Sequence, residues 1–434
     1  MPSDFTNNES SSLTECTPPQ DRRLTVQQYH NKINHIALQY KKLRQPTKEV
    51  NMAICAKAAA AAGLSVMISS VAISAAFAEQ LNLGVSLPLS GPASLAGTSI
   101  REGIEFAVKQ ANQKGGVFDQ DVKVFIEDDE GNPTKGVTAV RKLIEQDGVV
   151  GISGTYVSAV AAAESKVAKE YKVPMISAGS TSSAVTDANT AQDPWFFRAF
   201  PGSRTQAKQT ASDTLNKLNA KTVAVLYENS IYGKSLADEF KSNFEAIGGK
   251  IVALEAYNPG DKDFYSSLTN VRAQSPSAVY IAGLMDSGAQ IIKQADELGV
   301  QTQIVGSGSM MSDKLIELAG PASEGFAVSS MFEPSTPNRH GAEFAKEFRA
   351  AYNKEPDVYS AIGFDSMGLL IEAARRAGKP DGAAMQKQLL KMTDFPLTQG
   401  PDGTTAKFDD KGSVEFKVGL AIVKNGKREW LPFD

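Results

Sequence analysis

Residues 149–182 read VVGISGTYVSAVAAAESKVAKEYKVPMISAGSTS, and the alternation within them decides the fold class. Val149–Ile152 is a short apolar run of strand type. Ser158–Tyr171 is an Ala-rich helical stretch, and Pro174–Ser177 is a second apolar run. Strand, helix and strand in about thirty residues make a βαβ unit, with parallel strands and a helix packed on the sheet. Both strands end in small hydroxyl residues: Gly151-Ile-Ser-Gly-Thr-Tyr-Val-Ser158 after the first, Ser177-Ala-Gly-Ser-Thr-Ser182 after the second. At such junctions backbone N–H groups and a helix dipole point out from the carboxyl edge of a sheet, a ready site for a carboxylate. Hydroxyls at Ser158, Ser180 and Thr181 add donors. For either junction alone, helix capping by Ser and Thr is a sufficient explanation. Two in successive units argue for convergence on one cleft.

The alternation extends outward in both directions. Upstream, Leu81–Leu87 and Val122–Glu127 read as strands, and Thr98–Asn112 and Pro133–Gln146 as helices. Pro201-Gly202 interrupts the pattern, which then restarts with strands at Thr222–Tyr227, Lys250–Ala256, Ala278–Ala282, Gln303–Val305 and Phe326–Ser329. Helices are expected between them at Tyr232–Ile247, Asp263–Gln274, Ser287–Leu298 and Ser312–Leu318, then at Gly341–Tyr352 and Ser360–Ala377. Near the end, Thr404–Phe408 and Val414–Val423 flank Asp409-Asp-Lys-Gly412, a hairpin signal. The expectation is an α/β protein whose length calls for two lobes.

Composition narrows the chemistry. The chain has 434 residues with 45 Lys+Arg against 49 Asp+Glu, a balance that argues against disorder and dedicated nucleic-acid binding. Residues 58–78 are uncharged and end Ala76-Phe-Ala78, a small-x-small pattern suited to signal cleavage after Ala78. An uncleaved anchor, carrying the amphipathic helix expected at 24–44 into the cytoplasm as a sensor, is the rival reading. Met52 stands where a signal of ordinary length begins, so 52–78 is read as the signal peptide and 1–51 as an upstream extension. Cys16 and Cys55 both precede residue 58, leaving the main body without disulfides, thiolate metal sites or a cysteine nucleophile. Its one histidine, His340, lies in Pro337-Asn-Arg-His340 and reads as a solvated loop residue. Gly151-Ile-Ser-Gly154 lacks the closing glycine of a nucleophile elbow. Asp128-Asp129-Glu130 reads as a solvated loop. No metal, cofactor or catalytic group is expected, and an enzyme is the least favoured class.

The order of short marks resembles the leucine/isoleucine/valine-binding protein family, the type I periplasmic solute-binding proteins of ABC importers. The marks are Leu89-Ser-Gly-Pro92 with Gly97, Gly115-Gly116, Asp128-Asp129 with Pro133, Pro174–Ser177, Tyr232-Gly233, Phe364-Asp365, and Gly400-Pro-Asp-Gly403 with Gly412. The resemblance covers residues 80–434. It implies two Rossmann-like lobes joined by three crossovers, with ligand in the inter-lobe cleft. Lobe 1 would take 79–199 plus 330–396, and lobe 2 would take 200–329 plus 397–434. It also implies a periplasmic protein delivering an amino acid or related carboxylate to a membrane permease; export is expected to leave a monomer, and the charge balance predicts no nucleic-acid partner. Thr155, Ser158, Gly179, Ser180 and Thr181 would hold the carboxylate. Tyr232 would cover the ligand, Tyr156 would add an aromatic wall, and Leu284 and Met285 stand where a tyrosine is expected. Where leucine-type members carry a glutamate for the ammonium group, this chain has Gly308. Asp286 or an unplaced carboxylate would have to substitute, or else the ligand is a carboxylate or amide without an ammonium.

Overall fold

A computed structural model describes residues 80–335 and 337–431. The extension, the signal segment and both cysteines lie outside the described residues.

The first sheet is built from β1 (Asn82–Leu87), β2 (Lys123–Asp128), β3 (Ile152–Gly154), β4 (Met175–Ile176) and β5 (Phe196–Phe197). Its order is β2-β1-β3-β4-β5 and every pair is parallel. The second sheet has β6 (Thr222–Glu228), β7 (Lys250–Tyr257), β8 (Ala278–Ala282), β9 (Gln303–Gly306), β10 (Ala327–Ser330), β11 (Gly419–Lys424) and β12 (Lys427–Leu431). Its order is β12-β11-β10-β9-β8-β6-β7, parallel except for β11 and β12. In both sheets the chain steps one way for its second strand and the other way for its third. This topological switch lies between β1 and β3 in one sheet and between β6 and β8 in the other. Ligands of open α/β sheets bind outside the carboxyl ends of strands at such points.

Helices follow the strands as the βαβ rule requires. Around the first sheet they are α1 (Ser94–Gln113), α2 (Pro133–Glu145), α3 (Ser158–Tyr171) and α4 (Ser183–Asp187). Around the second they are α5 (Ser203–Asn216), α6 (Ile231–Ala246), α7 (Tyr265–Ala273), α8 (Met285–Glu297) and α9 (Asp313–Ala319). Then α10 (Arg339–Tyr352), α11 (Val358–Ala377) and α12 (Gly382–Lys391) return to the first sheet. The capping box of Asp357 and Ser360 starts α11, and Gly378 at φ 70° stops it. Helix α11 crosses α1 so closely that a Cβ on Gly103 would come 1.9 Å from the Ser360 carbonyl oxygen. A cluster of Phe106, Phe344, Phe348 and Phe364 rings seals α10 onto that pair.

The chain passes between the sheets three times: after β5, after β10, and between α12 and β11. The three passages lie side by side. Val414 N–H donates to the Arg198 carbonyl at 2.9 Å, and Gly400 N–H donates to that of Met331 at 2.9 Å. The Asn338 amide donates to the carbonyls of Leu397 and Gln399, each at 3.1 Å.

Three expectations are corrected. The closing hairpin is β11–β12, not Thr404–Phe408 with Val414–Val423; it turns at Asn425-Gly426, both with positive φ. The Asp409–Gly412 turn exists, but it delivers Ser413 into a bridge with Arg198. Asp129 is fully buried instead of solvated, because its side chain turns inward to the Thr155 hydroxyl and the Gly131 N–H while Asp128 and Glu130 stay exposed. His340 lies in the first turn of α10 and is half-buried, 6.3 Å from the Phe364 ring centroid.

Candidate ligand-binding site

A cavity of about 250 Å³ opens between the carboxyl edges of the two sheets, and both switch points contribute to it. From the first sheet come Ala93 ahead of α1, Tyr156 to Ala159 at the β3–α3 junction, and Gly179 and Thr181 after β4. From the second come Glu228, Ser230 and Tyr232 at the β6–α6 junction, and Leu284 after β8.

The first-sheet wall is a layered hydroxyl network. Ser180 Oγ donates to Ser158 Oγ at 3.1 Å, and Ser180 N–H donates to the Thr155 carbonyl at 3.2 Å. The Thr155 hydroxyl donates to Asp129, which also accepts Gly131 N–H at 2.7 Å. Burial pushes the Asp129 carboxyl up to about 6 against those two hydrogen bonds. Gly179, at φ 153°, gives the backbone room beneath Tyr156: a Cβ there would meet the ring at 2.6 Å. The Thr181 hydroxyl oxygen is buried and has no protein partner. Behind it lies Arg198, only 1% exposed, with Nη1 donating to the carbonyls of Thr181 at 3.2 Å and Ser182 at 3.1 Å. Its Nη2 reaches Ser413 Oγ at 3.0 Å. Burial brings this guanidinium down to about 10, still a cation at neutral pH. The wall therefore presents a free hydroxyl and helix N-termini backed by a buried positive charge, an arrangement that favours an anion.

The opposite wall differs in sign. Glu228, the last residue of β6, is 4% exposed. Burial raises its carboxyl above the usual range, and hydrogen bonds from the Ser230 hydroxyl and the Leu284 N–H partly restrain that rise. Tyr232 hydrogen-bonds toward Ser307 and Ser309, whose hydroxyls donate to the Gly283 carbonyl at 2.9 and 2.6 Å. Tyr359 meets the Tyr156 ring edge-to-face at 5.6 Å, and its hydroxyl donates to the Ser309 carbonyl, bridging the walls. Met331, Val358 and Ile362 line the remaining apolar surface.

A family model described as periplasmic binding protein matches residues 80–428. The chain belongs to the periplasmic binding protein family. A Leu/Ile/Val-binding protein homolog 1 of Brucella suis is 29% identical over 332 residues, covering 76% of this chain and 86% of the relative. The fold matches a branched-chain amino acid transporter substrate-binding protein, LivJ from Streptococcus pneumoniae, solved with isoleucine. That match has a TM-score of 0.75 at 25% identity, covering 81% of this chain and 98% of the other. A solute-binding protein of an ABC transporter from R. palustris, solved with benzoate, matches at a TM-score of 0.72 and 25% identity, covering 81% and 95%.

Within this periplasmic binding protein, Tyr156, Ser158, Gly179, Thr181, Tyr232 and Leu284 all reach the cavity. Thr155 and Ser180 stand one layer back, fully buried, their hydroxyls turned to Asp129 and Ser158. Met285 faces a separate depression shared with Ser312 and Asp357, because it begins α8 pointing away from Leu284. Asp286 sits half-buried in the same first turn and is not among the cavity-lining residues. Glu228, Gln206 and Tyr359 are functional candidates that sequence reading passes over. Glu228 had a signal: it ends a strand four residues before Tyr232, at the position a switch point exposes to ligand.

Proposed function

We propose that this protein is the solute-binding component of an ABC importer and takes a zwitterionic amino acid. The ligand carboxylate meets Ser158, Thr181 and the N-terminus of α3, and its ammonium group meets Glu228. Tyr156, Tyr232 and Leu284 enclose the body, with Thr155, Gly179 and Ser180 shaping the carboxylate wall. The observation that carries this reading is the buried Glu228 carboxylate on the wall opposite the hydroxyl network. It supplies the counter-charge that Gly308 lacks.

The two sheets are the cores of two lobes, 79–199 plus 330–396 and 200–329 plus 397–434, that close on the ligand about the three passages. Closing on a charged solute needs preorganised donors and a hinge and no catalytic groups. We read the chain as a monomer, exported by cleavage after Ala78 and passing its ligand to a membrane permease. A mature amino terminus at Glu79 supports that processing; retention of 58–78 would favour the anchored sensor.

A carboxylate without an ammonium is the second reading, favoured by the apolar surface and by the benzoate complex of the R. palustris neighbour. Calorimetric titration of leucine beside 4-methylpentanoate separates the two. Leucine should bind at least tenfold tighter, a difference of about 1.4 kcal/mol. Equal or reversed affinities defeat the amino-acid reading.

A further inference from the structure

Gln206, in the first turn of α5, lines the cavity and is 1% exposed. Its Nε2 donates to the Pro201 carbonyl at 2.7 Å. A carbonyl only accepts, so this bond fixes which way the amide faces. The Oε1 is then the free end, and it is buried without a donor. A buried acceptor costs free energy until it meets a donor, and this one lines the cavity, where a ligand can bring it.

The space beside that oxygen is opened by Gly308. A Cβ built there would lie 2.9 Å from Gln206 Oε1 and 3.7 Å from the Ser329 carbonyl oxygen. Gly308 is outside the left-handed region, so its backbone does not require glycine. The missing side chain leaves room at hydrogen-bond distance from Gln206 Oε1, a position that a Cβ would crowd and that a ligand donor can occupy. Gly308 follows β9 and Glu228 ends β6, with β8 between them in the sheet. The oxygen of Gln206 and the carboxylate of Glu228 therefore serve different parts of a ligand.

We infer that Gln206 and Gly308 form a second polar subsite that takes a neutral hydrogen-bond donor from the ligand's side chain. The preferred ligand is an amino acid bearing a hydroxyl or primary amide, not a purely aliphatic one. This rests on the amino-acid reading of the same cavity.

The test uses pairs of similar shape that differ in the donor: threonine and valine, asparagine and leucine, 4-hydroxybenzoate and benzoate. Affinities are measured by calorimetry on the wild-type protein and on Gly308→Ala and Gln206→Leu. The donor-bearing amino acid of at least one pair should bind tenfold tighter than its apolar partner, or about 1.4 kcal/mol. Gly308→Ala, whose Cβ occupies the subsite, should erase that preference. Gln206→Leu should erase it as well, and a melting curve for each variant checks folding. Apolar partners binding equally or more tightly overturn the subsite while leaving the amino-acid reading intact. Binding of only the aromatic pair, with the hydroxyl preferred, supports the subsite and overturns the amino-acid reading. Binding of none of the six probes overturns both.

Discussion

Glu228→Gln is the substitution on which the reading of the site turns. The carboxylate is 4% exposed, and its hydrogen bonds come from Ser230 and the Leu284 backbone, with no cation assigned to it. Opposite unit charges about 4 Å apart attract by about 4 kcal/mol at an effective dielectric of ~20. The amide keeps the size and one acceptor, so part of that energy survives. The net loss for leucine should be about 3 kcal/mol, on the order of a hundredfold in affinity. For 4-methylpentanoate the sign reverses, since the variant removes a like charge from the cavity, and its affinity should hold or rise. Calorimetry on both ligands with both proteins reads the effect as a change in selectivity. pH supplies a second readout. Burial raises the Glu228 carboxyl in the free protein, so protonation should weaken leucine binding as pH falls through that raised value. The slope should vanish in Glu228→Gln. A variant that binds leucine unchanged, or loses both ligands equally, refutes the assignment of the ammonium group.

Three further outcomes follow from the packing. Thr181→Val should cost leucine binding about 1.5–3 kcal/mol, the range for hydrogen bonds to charged groups, without lowering the melting temperature of the free protein; Ser158→Ala should cost a similar amount of affinity. An unchanged dissociation constant in both would remove the hydroxyls from the site. Asp365, buried with Thr398 and Gln399 donating to it, has its carboxyl raised to about 7. A raised carboxyl stabilises the fold below its unfolded value near 4 and loses that contribution as pH climbs toward 7, a few kcal/mol in order of magnitude. Asp129, at about 6, acts in the same direction. Denaturant midpoints should therefore fall between pH 4.5 and 8, less steeply in Asp365→Asn, and parallel curves would contradict this. Arg428 Nε meets Glu333 Oε1 at 2.8 Å with both side chains under a tenth exposed. Arg428→Met alone should destabilise by about 3–5 kcal/mol, and pairing it with Glu333→Leu should recover most of the loss in a double-mutant cycle. No recovery would mean that Arg428 acts mainly through its stem or through Asp313.

Most strands were legible because parallel strands buried on both faces are short unbroken apolar runs: Ala278–Ala282 is one, and all of its residues are buried. Helix α3 was legible to the residue. Helix α5 was not, because its buried face uses Ala207, Thr210, Ala211 and Thr214 instead of large apolar residues, leaving almost no periodic signal. The hairpin was misplaced because two turn signals competed; Asn425-Gly426 is the stronger, being the pair suited to a two-residue hairpin turn. In the site, the hydroxyl-rich junctions mark residues that line the cavity: Ser158, Gly179 and Thr181. Glu228 stayed hidden, since a glutamate ending a strand reads as solvated until the neighbouring strands are known to surround it. Asp129 misled for the same reason.

The contact between α1 and α11 has a consequence for how the polypeptide is completed. Ser99 donates to Asp357 across 258 positions of chain, and Ile100 packs under Gly363. A chain halted between residues 331 and 357 already holds every strand of the first sheet and the parallel strands of the second. Yet Ile100 and Ile104 lack the helix that covers them, and β10 presents an unpaired edge where β11 belongs. Such a fragment offers apolar surface and open backbone together, the combination that drives chains to associate with one another. A chain released from a ribosome stalled in that interval would thus be an aggregating fragment instead of a weakened receptor.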